Sequence, residues 1–172
     1  MKGALVVFFA GFGVMAQVTV APLFPLDAAV ADLGLLVIVF TALLAGPKAT
    51  MWTVPLIALF LGFSTSRAPG LLLLAYLPFL PLAYGLGETG MPLNRYLRTL
   101  LAALATGLWA RGLLGTAAFV QGAQFAPGDL IGAILLPGLA LDALLVTLLY
   151  IPCRLAGRTG RSLSLRRTGW VT

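Results

Sequence analysis

Long apolar runs, separated by short polar gaps, are the main pattern along this chain. The runs cover residues 3–22, 28–46, 49–66, 69–86, 96–120 and 129–153. Their lengths are close to the roughly 20 apolar residues with which a helix crosses the hydrocarbon core of a bilayer. Proline and glycine stand in the gaps, and both residue types end helices. The pattern therefore predicts an all-α membrane protein, in which six transmembrane helices form a bundle with short connections.

The fourth run is the least regular, because it contains Pro78-Phe79-Leu80-Pro81. Proline lacks a backbone N–H group and its ring clashes with the preceding turn of a helix. A bend or a break is therefore expected within residues 69–86.

Composition supports the membrane interpretation. Charged residues make up 9% of the 172 residues, and hydrophobic residues make up 60%. A soluble domain has about 25% charged residues. A water-soluble fold of this length would lack the polar groups to cover its surface. We expect a membrane domain over residues 1–157, followed by a basic cytoplasmic tail over residues 158–172.

The signs of the charges predict how the bundle is oriented. With the N-terminus in the cytoplasm, nine of the eleven Lys and Arg residues fall in inner segments, while Arg67 is outside and Arg111 lies within the fifth run. The inner cations are Lys2, Lys48, Arg95, Arg98, Arg154, Arg158, Arg161, Arg166 and Arg167. Cytoplasmic loops carry the excess of Lys and Arg in membrane proteins. Both termini are therefore expected in the cytoplasm.

The basic tail and the isoelectric point of about 10.3 have two interpretations. Such a tail could bind nucleic acid, or it could lie against the anionic headgroups of membrane lipids. Its cations directly follow an apolar run, which favours contact with headgroups. Membrane lipids are therefore expected as partners, and nucleic acid is not.

Few residues in the chain are suited to catalysis. It has no histidine, one cysteine at Cys153 and five acidic residues, a set that cannot form a standard zinc site. It also lacks the glycine-rich loop with lysine that binds nucleotide phosphates. We therefore expect neither an enzyme nor a bound metal or cofactor.

Two charges lie inside apolar runs: Arg111 in the fifth and Asp142 in the sixth. Charges at such depth are costly, so they face the interior of a bundle and find partners there. A functional interpretation is a proton relay or a counter-ion for a substrate. A structural interpretation, which we favour, is a buried ion pair or hydrogen bonds between helices. Their backbones differ in depth by roughly 10 Å, and Asp32 is an alternative partner for Arg111.

Several short segments between residues 10 and 157 have the order and spacing of a known family. They are Ala16-Gln17-Val18-Thr19, Ala31-Asp32-Leu33, Leu43 to Lys48, Leu61-Gly62-Phe63, Pro69-Gly70-Leu71, Ala75-Tyr76-Leu77, and Leu136 to Leu144 with Tyr150-Ile151-Pro152 and Arg154. In these segments the chain resembles the rod shape-determining protein MreD family of bacteria. It departs from the family at Ser64 to Ser66, where an aspartate is frequent, and at Asp142, where an asparagine is frequent.

The resemblance implies a non-catalytic scaffold of the cell-elongation machinery in the bacterial cytoplasmic (inner) membrane. Such a protein binds and positions MreC, in an assembly with the RodA glycosyltransferase, a class B penicillin-binding transpeptidase and the MreB filament. It thereby supports peptidoglycan synthesis and rod cell shape. Our candidates for polar contacts within the membrane or with a partner are Gln17, Asp32, Arg111 and Asp142.

A second hypothesis is the substrate-binding S component of an energy-coupling-factor vitamin transporter, whose fold the MreD fold resembles. The first helix of such components usually carries two alanines four residues apart, and residues 3–22 have no such pair. Recognition of a vitamin also needs polar residues on the outer side. The outer candidates are few: Ser64, Ser66, Arg67, Gln121 and Gln124.

Overall fold

The structure is a computed structural model of the chain, and it describes residues 2–23, 30–88, 94–123, 128 and 130–167. All regular secondary structure within these ranges is helical, so the all-α prediction is confirmed there. The α-helices are α1 (Lys2–Thr19), α2 (Leu33–Leu44), α3 (Pro47–Thr65), α4 (Pro69–Tyr76), α5 (Phe79–Glu88), α6 (Arg95–Val120) and α7 (Leu136–Arg167). A short 3-10 helix follows α1 at Ala21–Leu23, and a π-helical segment at Leu130–Leu135 leads into α7.

Two helical stretches among the described residues, Tyr96–Val120 and Ile131–Pro152, are long and apolar enough to cross a membrane. Shorter apolar helical stretches are Val7–Leu23, Leu33–Leu44 and Pro69–Gly85. The helices therefore follow the apolar runs of the sequence, and two of them have the length of a complete span.

The ends of the helices differ from the predicted runs at three places. The second run covers 28–46, but α2 begins at Leu33, because the side chain of Asp32 accepts a hydrogen bond from the backbone N–H of Leu35 and caps the helix. The run at 69–86 is divided into α4 and α5 beside Pro78, which confirms the expected break. Helix α7 passes through Pro152 and reaches Arg167, so it extends into the segment predicted as the tail.

The apolar core lies where α2 and α3 contact their neighbours. Leu35 and Ile38 of α2, Val54 and Ile57 of α3, and Phe79 of α5 are almost completely buried. Helix α1 packs on α2 and α3, while α6 packs on α4, α5 and α7. Helix α2 also contacts α7, and the residue before α2, Asp32, bonds to Asp142 in the second turn of α7.

Large apolar side chains are exposed in unusual number on the described surface, and a few polar side chains are buried beside the apolar core. Large apolar side chains face outward, including Trp52 and Phe63, which are 72% and 78% exposed. Thr50, Thr53 and Thr106 are completely buried. A monomeric soluble protein rarely exposes large continuous apolar surfaces. This distribution suits an apolar solvent around the bundle.

Candidate functional site

The most deeply buried charge among the described residues is Asp142, whose side chain is 1% exposed in α7. Its Oδ2 atom lies 2.6 Å from Nη1 of Arg111, which belongs to α6. Its Oδ1 atom accepts a hydrogen bond of 3.0 Å from the backbone N–H of Asp32. One carboxylate thus connects α6, α7 and the beginning of α2. The Nη1 atom of Arg111 also lies 3.5 Å from the carbonyl of Gly107, so the arginine side chain runs back by one turn along α6 to reach the carboxylate.

The guanidinium group of Arg111 lies against a glycine of the facing helix. A Cβ atom added at Gly138 would be 2.6 Å from Nε of Arg111, and one added at Gly107 would be 3.1 Å from its Nη1. A side chain at Gly138 would therefore displace the guanidinium, while one at Gly107 would require only a small adjustment. The Nη2 atom of Arg111 is buried and has no hydrogen-bond partner among the described residues.

Asp32 connects the beginning of α2 to α4. Its carboxylate accepts a hydrogen bond of 2.9 Å from the N–H of Leu35, which satisfies one of the unpaired donors at the helix N-terminus. The hydroxyl of Tyr76, the last residue of α4, donates to the same carboxylate at distances of 3.0 and 3.1 Å from its two oxygens. Tyr76 is buried, so the bond is shielded from solvent.

Gln17 connects α1 to the segment that precedes α2. Its Nε2 atom donates to the carbonyl of Ala31 at 3.1 Å. Its Oε1 atom accepts from the N–H of Leu33 at 2.5 Å. One side-chain amide therefore satisfies two backbone groups on either side of Asp32 and holds that residue in place.

Gln17, Asp32, Tyr76, Arg111 and Asp142 form one connected group, which we name the polar cluster. Its members come from α1, the cap of α2, α4, α6 and α7. All four candidates from the sequence belong to it, although nothing in their spacing required them to meet. Tyr76 is not among those candidates, although it lies in the family-like segment Ala75-Tyr76-Leu77 and carries a hydroxyl within an otherwise apolar run.

The polar groups of the cluster bond mainly to one another and to nearby backbone N–H groups. It contains two carboxylates and one guanidinium, and each carboxylate accepts at least two hydrogen bonds. Among the described side chains, no three His, Cys, Asp or Glu residues come together as ligands for a metal ion. The arrangement joins five parts of the chain through contacts that span as many as 110 positions in sequence.

The remaining polar positions predicted on the outer side do not join the cluster. Ser64, Ser66, Arg67 and Gln121 are exposed at helix ends, and Gln124 lies outside the described residues. No protein-family model, curated protein or solved structure matches the chain.

Proposed function

We propose that this protein is a non-catalytic membrane scaffold of the bacterial cell-elongation machinery, similar to the MreD family, which binds and positions MreC. In this function it supports peptidoglycan synthesis and rod cell shape. RodA, a class B penicillin-binding transpeptidase and MreB belong to the same assembly.

The polar cluster is the observation that carries this proposal. Gln17, Asp32, Tyr76 and Asp142 all lie in segments that resemble the family, and all four participate in one partly buried network, which Gln17 joins through the backbone on either side of Asp32. The network explains why those segments occur together, because their polar groups hold the contributing helices in fixed positions relative to one another. A bundle fixed in this way presents a constant outer surface to a partner helix.

The outer surface has the composition that partner helices and lipid require. Phe8, Phe12 and Met15 of α1 are each about two-thirds exposed, as are Met51 and Trp52 of α3. In lipid there is no hydrophobic drive between helices, so association depends on shape and on a few polar contacts. Most of the polar groups of the interior are paired with one another. The partner surface is therefore the apolar exterior, recognised by its shape.

We propose six membrane spans in the cytoplasmic (inner) membrane, with both termini in the cytoplasm. Two spans correspond to the two long apolar helices, the three shorter apolar stretches would supply three more, and α3 would be the remaining span. Nine Lys and Arg residues fall in the inner segments and only Arg67 falls in an outer one. This difference supports the orientation, because Lys and Arg prefer the cytoplasmic side.

The proposal is tested by copurification from native membranes. The tagged chain, expressed at its normal level and solubilised in a mild detergent, should recover MreC. The exposed variant Arg67→Gln serves as a matched control, since it changes a charge outside the polar cluster and should recover the same amount. Absence of MreC from the wild-type eluate would count against the scaffold. Tight one-site binding of a vitamin by the purified protein would instead favour the S-component hypothesis.

A further inference from the structure

A cavity of about 200 Å³ lies between α2, α5 and α6, away from the polar cluster. Its lining includes Leu43 near the end of α2, Ala83 and Tyr84 of α5, and Arg98 and Thr99 in the first turns of α6. Arg98 and Arg111 belong to the same helix and are separated by roughly 20 Å along its axis. No residue of the polar cluster lines this cavity.

Arg98 brings an unsatisfied donor to this cavity. Its Nε atom is buried and has no hydrogen-bond partner among the described residues. The hydroxyl of Tyr84 is held in position by a hydrogen bond of 3.2 Å with the hydroxyl of Thr50. A guanidinium N–H that is removed from water without a partner is unfavourable. An oxygen from a ligand would satisfy it.

The electrostatic setting of the cavity favours an anion. No Asp or Glu side chain described by the structure lines it. Asn94 caps α6 by accepting from the N–H of Leu97 at 2.8 Å, so Arg98 lies close to the positive end of the helix dipole. A guanidinium group pairs preferentially with the oxygens of phosphate and carboxylate groups.

The size and the apolar part of the cavity indicate the kind of anion. Pockets for drug-sized ligands have volumes of about 300–1,000 Å³, so this cavity accommodates a headgroup rather than a complete soluble metabolite. Leu43, Phe79 and Ala83 provide an apolar lining beside the arginine. A phosphate with attached acyl chains matches this lining, because the phosphate would face Arg98 and the acyl chains would face the apolar side chains.

We propose that this cavity binds the phosphate group of an anionic phospholipid, with Arg98 as the residue that contacts it. The assignment of the phosphate to a membrane lipid rests on the membrane orientation proposed above. In that orientation the beginning of α6, where Arg98 lies, is at the cytoplasmic leaflet. That leaflet is rich in anionic lipids, and basic pockets between helices on the cytoplasmic side bind anionic headgroups.

The experiment uses the purified full chain in a neutral detergent and counts bound lipid by native mass spectrometry. Phosphatidylglycerol, phosphatidylcholine and inorganic phosphate are titrated separately. We expect binding of phosphatidylglycerol, and we expect Arg98→Gln to weaken it about five-fold, as for one cation near an anionic headgroup. Arg98→Lys keeps the charge but loses the Nε donor, so it should give an intermediate affinity. Arg67→Gln, a change at an exposed cation, should leave the affinity unchanged.

Three results would overturn the proposal. Equal affinity of wild type and Arg98→Gln for phosphatidylglycerol would exclude Arg98 as the contact. Equal binding of phosphatidylcholine would exclude recognition of an anionic lipid, and stronger binding of inorganic phosphate would identify free phosphate as the ligand. Circular dichroism of Arg98→Gln and Arg98→Lys verifies that both variants are folded.

A further variant tests an internal partner for the arginine. Glu88 follows Tyr84 by about one helical turn in α5. If wild type binds no phosphatidylglycerol, the proposal is wrong. Equal destabilisation by Glu88→Gln and Arg98→Gln would then show that the arginine serves an internal ion pair. These measurements use the purified chain alone, so they are independent of whether MreC copurifies. A chain that stays monodisperse without detergent would refute the membrane proposal itself. That result is distinct from a failure to bind phosphatidylglycerol in detergent.

Discussion

The ion pair between Arg111 and Asp142 allows a quantitative prediction about stability. Replacing Arg111 by methionine keeps much of the side-chain volume but leaves Asp142 without its counter-ion. The two side chains are 12% and 1% exposed, so solvent offers little screening. Breaking a buried pair by removing one partner costs about 3–5 kcal/mol. We expect Arg111→Met to lower the free energy of unfolding by an amount in this range.

Asp142→Asn should be less costly than Arg111→Met. An asparagine at this position still presents an oxygen to the backbone N–H of Asp32, which Asp142 now bonds at 3.0 Å. The carboxylate of Asp32 also remains in the polar cluster as a negative charge for Arg111. We therefore expect a loss of about 1–3 kcal/mol. The asymmetry follows from the charges of the cluster, because removing its one guanidinium leaves two carboxylates, whereas removing one carboxylate leaves one charge of each sign.

The assay is unfolding in a mild detergent by added dodecyl sulfate, followed by circular dichroism. Arg111→Met, Asp142→Asn and the double variant form a mutant cycle, and we expect the double variant to cost less than the sum of the singles by about 1 kcal/mol or more. The exposed Arg67→Met serves as the control and should change stability by less than about 0.5 kcal/mol. Additive single effects, or an Asp142→Asn loss larger than that of Arg111→Met, would refute the reasoning.

Two further changes test the packing and hydrogen bonds of the cluster by the same unfolding assay. Tyr76→Phe removes the hydroxyl that donates to Asp32 and should cost about 1–3 kcal/mol, since a buried carboxylate loses a donor; an unchanged midpoint would contradict this bond. Gly138→Ala places a Cβ atom 2.6 Å from Nε of Arg111 and should cost about 1–3 kcal/mol. Gly112→Ala is its matched control, because a Cβ there has no atom within 4 Å, and it should be neutral or slightly stabilising. Equal effects of the two alanines would show that Arg111 does not need Gly138.

The helical class of the protein and most of its helix positions follow from the sequence without tertiary information. An apolar run must satisfy its own backbone hydrogen bonds, and within one segment only a helix does this in lipid. Proline and glycine then mark the ends, as at Gly46, whose φ of 82° is unfavourable for other residues and which precedes Pro47 at the start of α3. These are local properties, so they do not depend on which helices pack together.

The depth of a charge within a run is also a local property. For this reason the sequence alone identifies Arg111 and Asp142 as residues that need a partner. It does not identify them as partners of each other, because Asp32 is an alternative partner for Arg111. The structure resolves the choice by giving Asp142 both the arginine and the backbone N–H of Asp32.

Membership of the polar cluster, in contrast, depends on tertiary packing. Pairing between helices requires that each helix has a particular rotation about its axis and a particular depth, and both follow from long-range contacts. Gly107 and Gly138 let α6 and α7 approach around the guanidinium, and the break beside Pro78 ends α4 where Tyr76 reaches Asp32. No periodicity within a single run carries this information. The sequence thus shows which residues need partners, whereas the packing of the helices selects the partners.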